Sequence, residues 1–360
     1  MTGFVPPPYP YDRLDEVAAI AARHPGGAVD LSIGTPCDPA PAAVIAALAD
    51  TRAAMGYPAS IGSKPLREAA ARWIQRRLGA SVDPARQLAA CVGTKEFVAS
   101  IPQYLRLRDP SRDTILYPAI SYPSYAMGAT LAGLRSVSYD KLEDIADADA
   151  DRALAVWVNS PANPTGELHD LEAAASWGRR RGILVLSDEC YAEFTWNEPP
   201  STILSSGCDG VLAVHSLSKR DNFAGARIGF YAGDADVVHY LEEVRKHAGL
   251  MPPGPVQAAA IIALDDDDHV DAQRRRYLRR LVRLRQIMIT AGYPCELPAG
   301  AFYLWIPAAD AWQAARDLAE RAGIVVSPGD FYGDESDDFF RVAAVQPDDV
   351  IEIGARRLGL

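Results

Sequence analysis

The chain has 360 residues, 49% hydrophobic and 23% charged, with a net charge of −11 at pH 7 and a pI near 5.1. At about 150 residues per domain this length suggests two domains, and the composition excludes a disordered tail, a collagen and a small disulfide scaffold. A net anion of this size repels a phosphate backbone, so nucleic acid is not an expected partner.

In chain order, the first eleven residues are rich in proline and aromatics and read as an extended arm. From Asp12 onward, helix-spaced segments alternate with short apolar runs. DRLDEVAAIAARH, PAAVIAALAD, KPLREAAARWIQRRL and LEAAASWGRRR carry apolar residues three and four apart and predict helices. DTILYP, ALAVWVNS, GILVLSDE, GVLAVHS and ARIGFYAG are short apolar runs bounded by Gly, Pro, Asn, Asp or Ser and predict strands. Runs such as GILVLS, apolar on both faces, suit a parallel sheet covered by helices on each side. The expectation is therefore an α/β fold: a large, mostly parallel-sheet domain at 50–250, with an N-terminal arm and part of a smaller domain at 1–49. After MPPGPV the texture changes, and 251–360 reads as the small C-terminal α+β domain.

Two charge runs stand out. Asp265 to Asp268 reads as a solvated turn between helices. The stretch QRRRYLRRLVRLRQ carries seven arginines, but Tyr277, Leu278, Leu281, Leu284 and Ile287 recur at helical spacing, which puts the arginines on the other face, exposed or paired with acids. Cys37, Cys91, Cys190, Cys208 and Cys295 form no CxxC pair and are odd in number, which fits reduced thiols rather than disulfides or a zinc site. No signal peptide and no membrane span is visible, so a cytoplasmic location is expected.

Ligands of open α/β sheets bind beyond the carboxyl ends of the strands, so the residues just past each strand matter most. After ALAVWV comes NSPANPTG, with Asn159 and Asn163. After GILVLS comes DECY, with Asp188 and Tyr191 on one face if a helical turn starts there. After GVLAVH comes SLSKRDNFAGARIGF, with Ser216, Ser218, Lys219 and Arg227. Upstream, CVGTKEFV places Gly93, Thr94 and Lys95 at a strand-to-helix junction, where free backbone N–H groups can hold a phosphate. Singly these are weak signals: Lys219 reads as a surface lysine, Asp188 as a helix N-cap, and Gly93-Thr94-Lys95 lacks the rest of a P-loop. Together they suit a phosphorylated cofactor that needs a carboxylate partner and an amine anchor.

The series GYPASIGSKPLREA, CVGTKE, SYPSYAMGA, NSPANPTG, SDECY, SLSKxxxxxGxRxG and FFRVA resembles the class I/II aminotransferases, pyridoxal-phosphate enzymes of fold type I, over essentially the whole chain. VDLSIGTPCDP, VHSLSK, VRKHAGLMPPGPVQAA and SPGDFYG resemble most the actinobacterial N-succinyldiaminopimelate aminotransferases. The resemblance implies that Lys219 links covalently to pyridoxal 5′-phosphate and carries the substrate Cα proton. Asp188 would pair with the pyridinium nitrogen, and Asn163 and Tyr191 would bond the ring 3′-oxygen. Thr94, Lys95, Ser216, Ser218 and Arg227 would hold the phosphate, with Tyr57 reaching it from a second subunit of a homodimer. Tyr122 would stack on the ring. Arg341 would clamp the substrate α-carboxylate near the Gly34 backbone, with Asn163 also on the substrate side.

The implied reaction exchanges an amino group between N-succinyl-LL-2,6-diaminopimelate and 2-oxoglutarate, giving glutamate, in diaminopimelate and lysine synthesis. No metal, nucleic acid or membrane partner is implied. Alternatives are an aminotransferase for another amino acid and a C–S β-lyase on the same scaffold. A transcription regulator would need a DNA-binding module ahead of motifs that here start by residue 30. Where many relatives place a partner-subunit Asn or Arg, this chain reads HAGLMP, which leaves the distal end of the substrate unassigned.

Overall fold

The computed structural model describes residues 3–360, apart from the side chain of Thr51; the first two residues of the expected arm lie outside it. The chain divides into two compact units. The larger holds 35–276 and 299–301; the other holds the N-terminal residues to Gly34, 277–298 and 302–360.

The larger unit is built on a seven-stranded sheet. Its strands are β1 (Leu88–Cys91), β2 (Thr114–Pro118), β3 (Arg135–Tyr139), β4 (Ala153–Asn159), β5 (Leu184–Asp188), β6 (Val211–Ser216) and β7 (Gly229–Gly233). Their spatial order is β1-β7-β6-β5-β4-β2-β3. All neighbouring pairs are parallel except those made by β7, which runs antiparallel to both β1 and β6. Every residue of β4 is buried, because the sheet is packed on both faces. One face gathers Trp73, Val156, Val185 and Phe230, the other Phe97, Tyr125, Trp157 and Leu186.

Helices lie where the apolar spacing put them. Leu171–Arg181 starts at Asp170, whose side chain accepts from Ala173 N, and stops at Gly182 in the left-handed region. Lys64–Trp73 starts at Ser63, with Pro65 in its first turn, and continues as a π turn over Ile74–Leu78. Helix Gly254–Asp265 belongs to the larger unit, so the change of texture at MPPGPV falls inside that unit.

The acidic run departs from a merely solvated turn. Asp265 bonds Arg72 at 2.9 Å and Asp267 bonds Arg76 at 3.0 Å, tying the end of one helix and the start of the next to the flank of Lys64–Trp73. On the long helix Asp267–Ala291, Tyr277, Leu281, Leu284 and Ile287 are buried. Of its arginines, Arg276 pairs with Asp38, Arg280 with Asp348 and Arg283 with Glu352, while Arg275 and Arg279 are exposed. No helix among the described residues is long and apolar enough to cross a membrane.

The second unit carries an antiparallel three-stranded sheet in which Phe339–Ala343 is central, between Tyr303–Pro307 and Ser327–Pro328. Val29–Asp30 pairs in parallel with Ile324–Val325.

Candidate active site

In the larger unit, the residues singled out at strand ends gather along the carboxyl edge of β4, β5 and β6. Asp188 closes β5 and is buried. Its Oδ2 accepts from Tyr125 Oη at 2.8 Å and its Oδ1 from Cys190 N at 3.1 Å. Its carbonyl accepts from Asn159 Nδ2 at 2.8 Å and Ser160 N at 3.2 Å, which joins the ends of β4 and β5. Asn159 Oδ1 in turn accepts from Asn163 N at 2.8 Å. Both Ser160–Pro161 and Asn163–Pro164 are cis. Burial pushes the Asp188 carboxyl above its ordinary value; the bonds from Cys190 and Tyr125 and the nearby charge of Lys219 pull it back. The segment after Asp188 is a turn rather than a helix, closed by Ala192 N to Glu189 O at 3.0 Å, and Tyr191 is buried within it.

Beyond β6, Ser216 caps the four-residue helix Leu217–Arg220, its Oγ accepting from Ser218 N at 3.1 Å. Lys219 lies in that helix, half-buried. The chain then loops out and returns at Gly229, which pairs with Ser216 across β6 and β7.

Arg227, at φ 54°, sits just before that return. Helix Thr94–Arg108 begins after Gly93, whose φ is 95°. A Cβ at Gly93 would lie 2.2 Å from Arg227 Nη2, so glycine is what lets the guanidinium lie against the helix N-terminus. Gly229 must also be small: a Cβ there would fall 2.6 Å from His215 O on the neighbouring strand and 3.0 Å from Thr94 Cγ2. A helix N-terminus beside an arginine, kept open by two glycines, is a cradle for a phosphate. Lys95 is exposed at its rim.

Tyr122 is half-buried and meets Tyr125 edge-on, ring centroids 5.9 Å apart. Tyr57 is 98% exposed, so its phenol is far from any packing in the isolated chain. Tyr125, which sequence reasoning missed, stacks on Trp157 at 4.9 Å. Burial and the Asp188 carboxylate hold its phenol well above the ordinary value, so it remains a donor.

In the second unit, Arg341 is buried on the central strand Phe339–Ala343. Its guanidinium lies 4.0 Å over Tyr303 and 4.8 Å from the Tyr332 ring centre, and its Nη2 donates to Ser32 O at 2.7 Å and Tyr11 Oη at 3.0 Å. A Cβ on Gly34 would fall 2.0 Å from Tyr303 Oη, so position 34 must be small for the aromatic cage to form.

A family described as "Aminotransferase class I and II" matches residues 27–358. The chain belongs to the class I and II aminotransferases. It is 41% identical to the 4-dedimethylamino-4-oxo-anhydrotetracycline transaminase OxyQ of Streptomyces rimosus, over 98% of this chain and 99% of that one. It is 32% identical to an LL-diaminopimelate aminotransferase of Desulforudis audaxviator, over 95% and 92%. A solved structure from Thermus thermophilus, described as a probable N-succinyldiaminopimelate aminotransferase, superposes with a TM-score of 0.85 at 28% identity, over 97% of this chain and 99% of that one.

These aminotransferases depend on pyridoxal 5′-phosphate and share the fold-type-I architecture seen in the larger unit. The residues present fit that cofactor. The cradle at Gly93 suits its phosphate, and a buried carboxyl raised by desolvation is one that a protonated ring nitrogen would return to its charged form.

Proposed function

We propose that this aminotransferase exchanges an amino group between N-succinyl-LL-2,6-diaminopimelate and 2-oxoglutarate, in the diaminopimelate and lysine series. The observation that carries an amino-acid substrate is the caged Arg341. A planar guanidinium fixed by two rings, a carbonyl and a phenol meets a carboxylate with little entropy left to lose. Support for the succinylated donor comes from the sequence motifs and from the likeness to the Thermus structure.

When bound, pyridoxal phosphate supplies a sink for charge that develops at the substrate Cα. In this reading, Asp188 keeps the ring nitrogen protonated, and the Thr94 helix end, Ser216, Ser218, Lys95 and Arg227 hold the phosphate. Asn163 and Tyr191 bond the ring oxygen, and Tyr122 covers one face. Lys219 anchors the cofactor and then moves a proton at its Nζ. The amine needs to be partly desolvated and near cationic groups to be free of its proton at neutral pH. Arg341, with Gly34 leaving it room, orients the α-carboxylate. Tyr57, exposed in one chain, is assigned to the phosphate of a second, which makes the active form a homodimer. Sedimentation should show a dimer; a fully active monomer would contradict this.

A second reading, transfer to a bulkier ketone, is favoured by the 41% identity to OxyQ. Arg341 serves every α-amino acid alike, so discrimination rests with the distal end. Comparing kcat/KM for N-succinyl-diaminopimelate, free diaminopimelate, acetylornithine and aspartate decides the substrate. The succinylated compound should lead by about ten- to a hundredfold, the worth of one or two buried polar contacts. If aspartate or an aromatic amino acid leads, the substrate assignment fails while the family stands.

A further inference from the structure

Three candidate cofactor residues each have a chain neighbour that belongs to a single buried cluster. Asp188 is followed by Glu189, Ser216 is preceded by His215, and Lys219 is followed by Arg220. Glu189 Oε2 and His215 Nε2 lie 3.5 Å apart, and with Arg220 they line one small cavity of about 10 Å³. All three side chains are at least nine-tenths buried. The cavity's apolar walls are Trp73 and Phe230, whose rings stand 5.0 and 5.2 Å from the His215 ring.

The far side of the cluster is well bonded. Glu189 Oε1 accepts from Ile203 N at 2.8 Å and Ser187 Oγ at 2.9 Å, and Arg220 Nη1 donates to Asp221 Oδ1 and Ala263 O, each at 2.9 Å. Glu189 Oε2, the ring nitrogens of His215, and Arg220 Nε and Nη2 lack a well-formed hydrogen bond in the protein: Arg220 Nε has only a 3.5 Å contact with Glu193 Oε1, and the Glu189 backbone lies beside the His215 ring. Leaving such atoms unmatched is costly, and a polar cavity of about this size takes one water with two to four partners. A water's two donors and two lone pairs match an inventory of acceptors on Glu189 and His215 and donors on Arg220.

We propose that Glu189, His215 and Arg220 bind one ordered water and that this water-bridged cluster positions Asp188, Ser216 and Lys219 from behind. The proposal rests on the assignment of those three as cofactor residues. Each is one peptide from the cluster, and Glu189 is itself fixed to β6 through its N–H on Val214 O at 3.0 Å. A shift of the cluster is therefore passed to the cofactor edge with little slack. Burial drives His215 down to about 3, so its imidazole stays neutral and keeps one acceptor nitrogen for the water.

The test uses the holoenzyme with His215→Phe, which keeps the ring and removes its nitrogens, and His215→Gln, which can bond a water again. Three quantities are read: the pH midpoint of the bound cofactor's visible absorption, the cofactor Kd, and Tm. His215→Phe should move the midpoint by about half a pH unit and weaken the cofactor about tenfold, as loss of one buried bond would. His215→Gln should recover most of both. Should His215→Phe fail to fold, Glu189→Leu gives the same readouts.

A lowered Tm with midpoint and Kd unchanged would make the cluster a structural plug and overturn the proposal. So would a dry cavity in a high-resolution crystal structure of the holoenzyme. The underlying assignment fails separately: if borohydride fixes the cofactor to a lysine other than Lys219, the site itself is misread whatever the cluster does.

Discussion

Tyr125 Oη stands 2.8 Å from Asp188 Oδ2, and Tyr125→Phe removes that contact while keeping the ring stacked on Trp157. A hydrogen bond to a charged acceptor is worth about 1.5–3 kcal/mol, so if the ionised carboxyl holds the cofactor, its affinity should fall roughly ten- to a hundredfold. Equilibrium binding of pyridoxal phosphate to the apoprotein measures this; an unchanged affinity would remove Asp188 from the cofactor contacts. Neither Tyr125 nor His215 was legible as part of the site from the sequence. A phenol that bonds a carboxylate 63 positions away leaves no periodicity or spacing to read. Asp188, Asn163, Lys219 and Arg227 could be singled out as candidates because they flank strand ends, where ligand-binding groups collect.

At the scale of elements, the strands that announced themselves were those buried on both faces. β4 and β5 read as unbroken apolar runs because helices cover each side. β3 was not expected: it is an edge strand with two serines and an arginine and mostly exposed side chains, so no pattern marks it. The proposed phosphate cradle depends on Gly93 and Gly229, in separate elements, and Gly93→Ala tests it. Alanine at φ 95° is strained, and its Cβ would displace the Arg227 guanidinium. The substitution should weaken pyridoxal phosphate binding at least about tenfold, by about 1.4 kcal/mol or more. A cofactor that binds G93A as tightly as the parent would place the phosphate elsewhere.

Over the whole molecule, buried titrating groups bend the stability curve in opposite senses. Burial pushes the Glu189 carboxyl up to about 7, with Asp188 adding repulsion and Ser187, Thr202 and the Ile203 N–H opposing it. A raised carboxyl contributes stability that is complete below its ordinary value near 4.5 and is lost as pH rises through about 7. His215, lowered to about 3, contributes stability present above 6.5 that is lost as pH falls toward 3. Between pH 6.5 and 8 the His215 contribution is constant while that of Glu189 is changing. Asp221, also pushed up to about 7 by burial, adds a decline of the same sign. Glu189→Gln should therefore flatten, without abolishing, the fall of unfolding free energy there relative to the parent. Most of its full effect, on the order of 3 kcal/mol, accrues between pH 4.5 and 7, so this window should show about 1 kcal/mol of it. Parallel curves for E189Q and parent across that window would show that the carboxyl is not raised.

The return of the chain from Ser216 to Gly229 puts Lys219 and Arg227 on one short loop whose two ends are zipped together. Anchoring a cofactor by its aldehyde end to the first and its phosphate end to the second would brace that loop like a strut across an arch. The same loop carries cleavage points for trypsin after Lys219, Arg220 and Arg227, of which Arg227 is exposed. Pyridoxal phosphate should therefore slow tryptic nicking of the apoprotein after Arg227, making protease resistance a direct gauge of occupancy that needs no substrate. Once the arch is cut, the two halves of the chain should stay together on the sheet, since β6 and β7 remain paired along their length, while the grip on the phosphate is lost.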